Sequence, residues 1–329
     1  KNRYQGENFW AIVFIYPSRL IKAFLYSPPQ DIDLIYCPSD FLVELLPSIF
    51  WKMRIPQCKL TACLFLVAPN PCRGYRYAFE EKNWQLPNFR HLIFWLGQKA
   101  SIILLKIFAD KVLVLNSQDK NFLEQKGLSR KVATIDMGVN LKEYQAIVNP
   151  KKIYDACFIG RLHAQQGIWD LVNIWGLVCQ KKTKAKLIII GGGSKNFQNK
   201  LIKMINEKNL EKNIFYLGFK SGREKITLLK QSKIFVFPSF YESWGMVAVE
   251  AMACGLPVIA YDLPIFKNIF KEGMIKIPIG NQQEFSKTII AILKNKNQYQ
   301  KMRKQALRQA GVYNWQDVAD QELKILTNE

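Results

Sequence analysis

Histidine is almost missing from this sequence: His91 and His163 are the two copies in 329 residues. No Cys/His cluster exists, so a structural zinc site is not expected. The seven cysteines (Cys37, Cys58, Cys63, Cys72, Cys157, Cys179 and Cys254) are odd in number and scattered, and no pair has C-x-x-C spacing. Reduced, structural cysteines are therefore expected instead of a disulfide framework or a redox motif. No uninterrupted apolar run reaches the roughly 18–20 residues that span a bilayer; the closest, Leu92–Ala109, is broken by Gln98, Lys99 and Lys106. No signal-peptide pattern opens the sequence, and internal repeats and low-complexity tracts are absent. These features together set the expectation of a cytoplasmic protein. Acidic residues are scarce, 26 against 47 Lys and Arg, a formal net charge of +21. Such an excess favours polyanionic company, whether nucleotide phosphates, acidic lipid headgroups or nucleic acid, but its spread over both halves reads mainly as a solvated, cation-rich surface. No helix interleaves dense Arg with aromatics, so no specific nucleic-acid partner is expected.

What is present is apolar: 49% of residues are hydrophobic, enough for a sizeable core, and the length suits two domains of about 150 residues. Short strands alternate with amphipathic helices, the pattern of doubly wound α/β domains. Strands are predicted at Asp33–Cys37, Lys59–Val67, Lys111–Leu115 and Val132–Asp136, with helices at Trp10–Tyr26, Phe41–Lys52, Leu92–Phe108 and Ser117–Lys126. Residues Leu141–Pro150 lose periodicity and read as a linker. Beyond them come five strand–helix alternations, with strands at Ala156–Gly160, Lys186–Gly191, Ile214–Gly218, Lys233–Pro238 and Pro257–Tyr261. The predicted domains are 1–147, 148–312 and a C-terminal helix, 313–329, packing back on the first.

The chemistry concentrates in the stretch from Phe237 to Pro257, where a strand end meets a helix start. The predicted helix Gly245–Cys254 is apolar on every face except at Glu250. Such a helix is buried, and a buried carboxylate needs donors. No Lys or Arg lies within a turn of it in sequence, so a ligand's hydroxyls are one candidate; a backbone amide in the core is the other. Glu242 sits in the loop leading into the helix, whose free N–H groups suit an anion, while the small Ser243 and Gly245 permit close approach.

The run Glu242-x7-Glu250 followed by Ala-Met-Ala-Cys-Gly-Leu-Pro-Val-Ile resembles the E-x7-E signature of retaining GT-B glycosyltransferases, in particular glycosyltransferase family four. Four further segments fall in the family's order. Phe158–Leu162 with Gly167 resembles its G-R-L-x4-G segment, and Lys186–Gly193 resembles its strand ending in glycines. Leu217-Gly218-Phe219 resembles its base-bracketing loop, and Ala109–Ser117 with Met137–Asn140 resembles the last elements of its first domain.

The resemblance implies an α/β GT-B fold of two Rossmann-like doubly wound domains facing a cleft. It also implies transfer of a sugar from a nucleoside diphosphate sugar to an acceptor hydroxyl on a glycan or lipid-linked molecule, without a metal; no D-x-D motif stands where one would be needed. No cofactor beyond the donor substrate is implied. Carried over by position, Glu242 and Arg161 are the catalytic candidates, with Arg161 on the diphosphate and Glu242 on the sugar hydroxyls. Gly160 and Gln166 belong to the donor loop, and Phe219 and Lys220 flank the base. The backbone of Trp244 and Gly245 holds the sugar, the N–H groups of Met246 and Val247 the phosphates, and Glu250 the ribose.

Three departures qualify this. Gln166 stands where the family has Lys, the second diphosphate cation. The stretch Thr61–Leu66 lacks the family's His. Nothing before Asp33 matches the family's opening strand and glycine-rich loop, and the first residue is Lys1. Either the sequence lacks its beginning, leaving the first domain without its N-terminal strands, or this branch has dispensed with them, and the former is the reading taken. The rival function is a catalytically silent nucleotide-sugar-binding protein. Finally, the aromatic, cationic helices Trp10–Tyr26 and Leu92–Phe108 suit either an anionic membrane surface or the cover of the first sheet.

Overall fold

The computed structural model describes residues 9–26, 31–72, 86 and 89–327. The chain divides into two compact units, 1–136 with 321–329, and 137–320.

In the first unit α1 (Phe9–Leu25) precedes β1 (Leu34–Cys37), α2 (Leu42–Arg54), β2 (Lys59–Cys63), α3 (Phe89–Phe108), β3 (Lys111–Val114), α4 (Ser117–Leu123) and β4 (Val132–Thr134). The four strands form one parallel sheet in the order β1-β2-β3-β4. Its core is built from Leu60, Ala62, Val112 and Val114 on the strands, Leu45 and Ile49 on α2, and Ile102 and Leu105 on α3. Asn116 starts α4, accepting from the Asp119 N–H at 2.8 Å. Strand β2 stops at Cys63, short of the predicted Val67, although the Leu64 N–H still reaches the Leu113 carbonyl at 2.8 Å. Gln98, one of the polar breaks in the apolar run of α3, is buried because it holds the loop after β2. It donates to Asp40 at 2.8 Å and to the Leu66 carbonyl at 2.9 Å, and accepts from the Ala68 N–H at 2.6 Å. The last residues of the chain belong here too: Tyr36 donates to Glu322 at 2.7 Å, and Lys111 to the Ile325 carbonyl.

The second unit begins at Met137, within a stretch expected to close the first. Its opening residues are tied to it by the bridge of Val139 to Asn314 and by Lys230, which donates to the Ile147 carbonyl. The predicted linker is not structureless: it contains the short helix α5 (Leu141–Gln145), with Tyr144 buried. Then follow β5 (Tyr154–Ile159), a 3-10 turn (Ala164–Gln166), α6 (Ile168–Lys181), β6 (Leu187–Ile190), α7 (Lys195–Glu207), β7 (Ile214–Tyr216), α8 (Gly222–Gln231), β8 (Ser232–Phe237), α9 (Met246–Ala253), β9 (Val258–Tyr261), α10 (Phe266–Ile269), β10 (Met274–Ile277), α11 (Gln282–Lys294), α12 (Lys296–Gly311) and α13 (Trp315–Thr327), which runs into the first unit's closing residues. All six strands are parallel, in the order β10-β9-β8-β5-β6-β7. Because helices cover both faces, the central strands read as apolar runs such as Leu187-Ile188-Ile189-Ile190, every residue buried. The core combines these with Trp175 and Leu171 of α6 and Phe285 and Ile289 of α11. Ser194, Asn281 and Asn295 cap α7, α11 and α12 with side-chain oxygens.

The strand order fixes where a ligand would lie. The chain enters at β5, winds outward through β6 and β7, then returns to build β8, β9 and β10 on the other side. The reversal leaves a crevice at the carboxyl ends of β5 and β8, the place where open α/β sheets bind ligands.

Candidate donor site at the β5–β8 crevice

The two loops leaving β5 and β8 carry most of the residues singled out by sequence, and the fold brings them together. Gly160 and Arg161 follow β5 directly, and Gln166 ends the 3-10 turn that the loop makes before α6. His163 starts that turn, its Nδ1 accepting from the Gln165 N–H at 3.3 Å, a local structural role. The loop after β8 is stitched to this turn twice: Gln165 donates to the Tyr241 carbonyl, and the Phe240 N–H donates to the Gln165 carbonyl, both at 2.9 Å.

These stitches bring Gln166 onto Glu242. Gln166 is buried, and its Nε2 donates to Glu242 Oε1 at 2.8 Å, while the Ser239 hydroxyl lies 3.4 Å from Gln166 Oε1. A side chain at Gly160 could not coexist with this pair, because its Cβ would fall 2.6 Å from Gln166 Oε1. One of the two N–H groups of the Gln166 amide is thus committed to a carboxylate, which leaves the other for a ligand. Burial pushes the Glu242 carboxyl up to about 7, against the hydrogen bonds of Gln166 and Ser239 and the positive field of Arg161, which all favour the ionised form. Arg161 itself is exposed and has no ion-pair partner among the described residues.

Glu242 leads into α9. Gly245 is the residue before the helix and adopts φ +102°, with Phe266 and Phe270 where a Cβ would point, at 3.2 and 3.3 Å. A non-glycine residue would be strained there both by its backbone and by its neighbours. No side chain caps this end, so the first-turn N–H groups, Met246 and Val247 among them, keep the helix's positive pole open toward the crevice. Trp244 is buried edge-on against Tyr313, ring centroids 4.7 Å apart, and anchors the loop.

Glu250 sits one turn further along, and here the structure corrects the sequence. Its carboxylate is not without a cation: Lys225 Nζ, from α8, lies 2.8 Å away. Tyr144, from α5, is also hydrogen-bonded to it, and burial with this neighbouring charge raises the phenol well above its ordinary range. Neither partner could be found by looking along the chain from Glu250, since both come from other elements. A carboxylate offers about four lone-pair sites, so about two remain beyond these partners. Phe219 is two-thirds exposed at the end of β7, while Lys220 spends its charge on Glu224 at 2.6 Å. No group of three or more His, Cys, Asp or Glu able to hold a metal occurs among the described residues.

Comparison with known proteins bears on the family and the fold. Over 239 residues the chain is 33% identical to an uncharacterized glycosyltransferase of Methanocaldococcus jannaschii, an alignment covering 68% of this chain and 54% of the relative. It is 26% identical over 191 residues to the poly(glycerol-phosphate) alpha-glucosyltransferase of Bacillus subtilis, covering 55% of this chain and 28% of that one. The chain thus spans about half the length, or less, of these curated relatives. Among solved structures, Anabaena HepE in complex with UDP and glucose superposes with a TM-score of 0.73 at 17% identity, covering 98% of this chain and 83% of HepE. A mutant of Staphylococcus aureus TarM, in complex with Fondaparinux, alpha-GlcNAc-glycerol and UDP, gives 0.69 at 19% identity, covering 88% and 54%. These likenesses establish the GT-B fold, α/β with parallel sheets in two Rossmann-like domains. The model of the glycosyl transferases group 1 family matches residues 141–309, the span that contains the β5–β8 crevice and all of its candidate residues, and the chain belongs to that family.

Proposed function

We propose that the chain is the catalytic part of a retaining, metal-independent glycosyltransferase that moves a hexose or similar sugar from a nucleoside diphosphate to an acceptor hydroxyl on a glycan or a lipid-linked molecule. One observation carries this reading. At the switch point of the second sheet, an exposed, unpaired arginine, a desolvated carboxyl and an uncapped helix start converge, and these are the groups a sugar diphosphate needs. Arg161 meets phosphate oxygens with a planar guanidinium. The N–H groups of Met246 and Val247 meet the same charge from the helix start. Glu242, steadied by Gln166, binds sugar hydroxyls near the reacting carbon, and Glu250, steadied by Lys225 and Tyr144, binds the ribose. Phe219 offers its ring to the base. The protein positions the groups and stabilises the charge that grows on the leaving diphosphate. The diphosphate charge is assigned to Arg161 and a helix terminus, so neither a metal nor a separate cofactor enters the scheme.

The UDP and sugars bound by HepE and TarM are properties of those proteins; for this chain they suggest uridine as the first base to try. The test is to offer a panel of nucleoside diphosphate sugars with glycan and lipid-linked acceptors and to measure released nucleoside diphosphate. Turnover with at least one donor supports the proposal. Donor binding without hydrolysis or transfer across the panel would instead mark a silent binding protein.

A further inference from the structure

The first unit carries a surface that the sugar-transfer reading does not use. Helix α3 packs on protein along one stripe, where Ile102, Leu105 and the bonded Gln98 are buried; by length and composition alone its segment His91–Phe108 is long and apolar enough to cross a membrane. The opposite stripe lies open. Ile103 and Ile107 are each 62% exposed, and with Trp95 and Phe122 they line a groove of about 810 Å³. Three lysines, Lys99, Lys106 and Lys126, border that groove, and no Asp or Glu among the described residues does. None of the three has a carboxylate partner among the described residues. Lys99 instead folds over the Trp95 ring, its ammonium 3.5 Å from the centroid, and Lys126 approaches Phe122 at 5.6 Å. Trp95, Lys99, Ile103, Lys106 and Ile107 follow one another at helical spacings of three, four or one residue along α3, so apolar and cationic side chains share one face.

Apolar side chains, a tryptophan and unpaired ammonium groups on one face of a helix that lies along a protein surface are the features that seat a helix in a bilayer interface. The chains enter the acyl boundary, the indole sits at headgroup depth, and the lysines meet lipid phosphates. We propose that this α3 face docks on an anionic lipid bilayer, holding the protein at the membrane surface. The inference stands apart from the donor site and survives or fails without it.

Generic attraction must be separated from docking, because a chain of net charge +21 is drawn to any anionic surface. Co-sedimentation of the full chain is measured with vesicles of phosphatidylcholine alone and with added phosphatidylglycerol, at about 0.15 M salt where long-range attraction is screened. Wild type is expected to pellet with the mixed vesicles and not with phosphatidylcholine alone. Lys99→Glu/Lys106→Glu/Lys126→Glu should lower the partition coefficient at least about tenfold. The exposed donor-unit triple Lys294→Glu/Lys301→Glu/Lys304→Glu, an identical change in net charge, should keep it within about twofold of wild type. Ile103→Ser/Ile107→Ser should weaken partition with charge unchanged, and melting curves verify that each variant folds. Equal losses from the two lysine triples, or no pelleting of wild type with the mixed vesicles, would overturn the proposal. So would a concentration-dependent dimer that Ile103→Ser/Ile107→Ser disrupts, since the face would then belong to a second copy of the chain.

Discussion

At the scale of single residues, the two glutamates of the crevice behave differently because their neighbours differ. Glu250 has a lysine, whereas Glu242 has an amide, a hydroxyl and a more distant guanidinium. For Glu242 the folded state holds its proton more tightly than the unfolded chain does. The stability this contributes is fully present below about 4.5, the ordinary value, and is lost as pH rises through about 7. Glu242→Gln removes that loss, so the melting temperature of the variant minus that of wild type should increase between pH 5 and pH 8; a constant difference would show that the carboxyl is not held neutral. Gln166→Lys is expected to form an ion pair with Glu242 and to abolish the same slope by ionising it. It would add little to donor affinity, because the new charge is spent within the protein. At the second glutamate, Glu250→Ala should weaken donor binding by about 1–3 kcal/mol, read by calorimetry, as ribose hydroxyls lose a charged acceptor. It should also lower the melting temperature, since Lys225 and Tyr144 lose their shared partner. Unchanged donor affinity would remove Glu250 from the ribose.

At the scale of elements, the geometry hangs on the approach to α9. Gly245→Ala forces a side chain onto φ +102° and against Phe266 and Phe270, and should cost about 1–3 kcal/mol in denaturant unfolding. Donor binding should weaken as well, because the first-turn amides move with the loop. A variant as stable as wild type would mean that the turn relaxes freely. How much of this was legible follows from the kind of signal each element carries. Strands β5, β6, β8 and β9 are largely apolar runs, the first three closed by glycine or proline and β9 preceded by Pro257, and the predicted positions lie within a few residues of those observed. β10 was passed over: four residues with Lys276 among them give no periodicity, and its place at the sheet edge is set by pairing with β9. The stretch 141–150 read as a linker because its one buried anchor, Tyr144, shows its purpose only beside Glu250. Motif residues on the two crevice loops could be read from sequence. Lys225 and Tyr144, the partners of Glu250, could not, because hydrogen bonds across elements leave no spacing to find.

For the whole molecule, family membership and strand order say where a donor would bind, and the charge distribution says what else the protein could meet. Seven free thiols, Cys37, Cys58, Cys63, Cys157 and Cys254 buried among them, fit the expectation of structural cysteines. The proposed division of labour, with diphosphate charge carried by Arg161 and α9, implies that turnover persists in excess EDTA. Loss of activity restored by magnesium or manganese would replace that mechanism with a metal-assisted one. The most direct test of the central claim is a thermal-shift titration of nucleoside diphosphate sugars against wild type and Arg161→Ala, since a donor that binds only the folded state raises its melting temperature by mass action. At least one donor should raise the melting temperature of wild type in a saturable way, with the shift lost or moved to at least about tenfold higher concentration in Arg161→Ala. No shift with any donor, or an identical shift in the variant, would contradict a sugar-diphosphate site at the β5–β8 crevice.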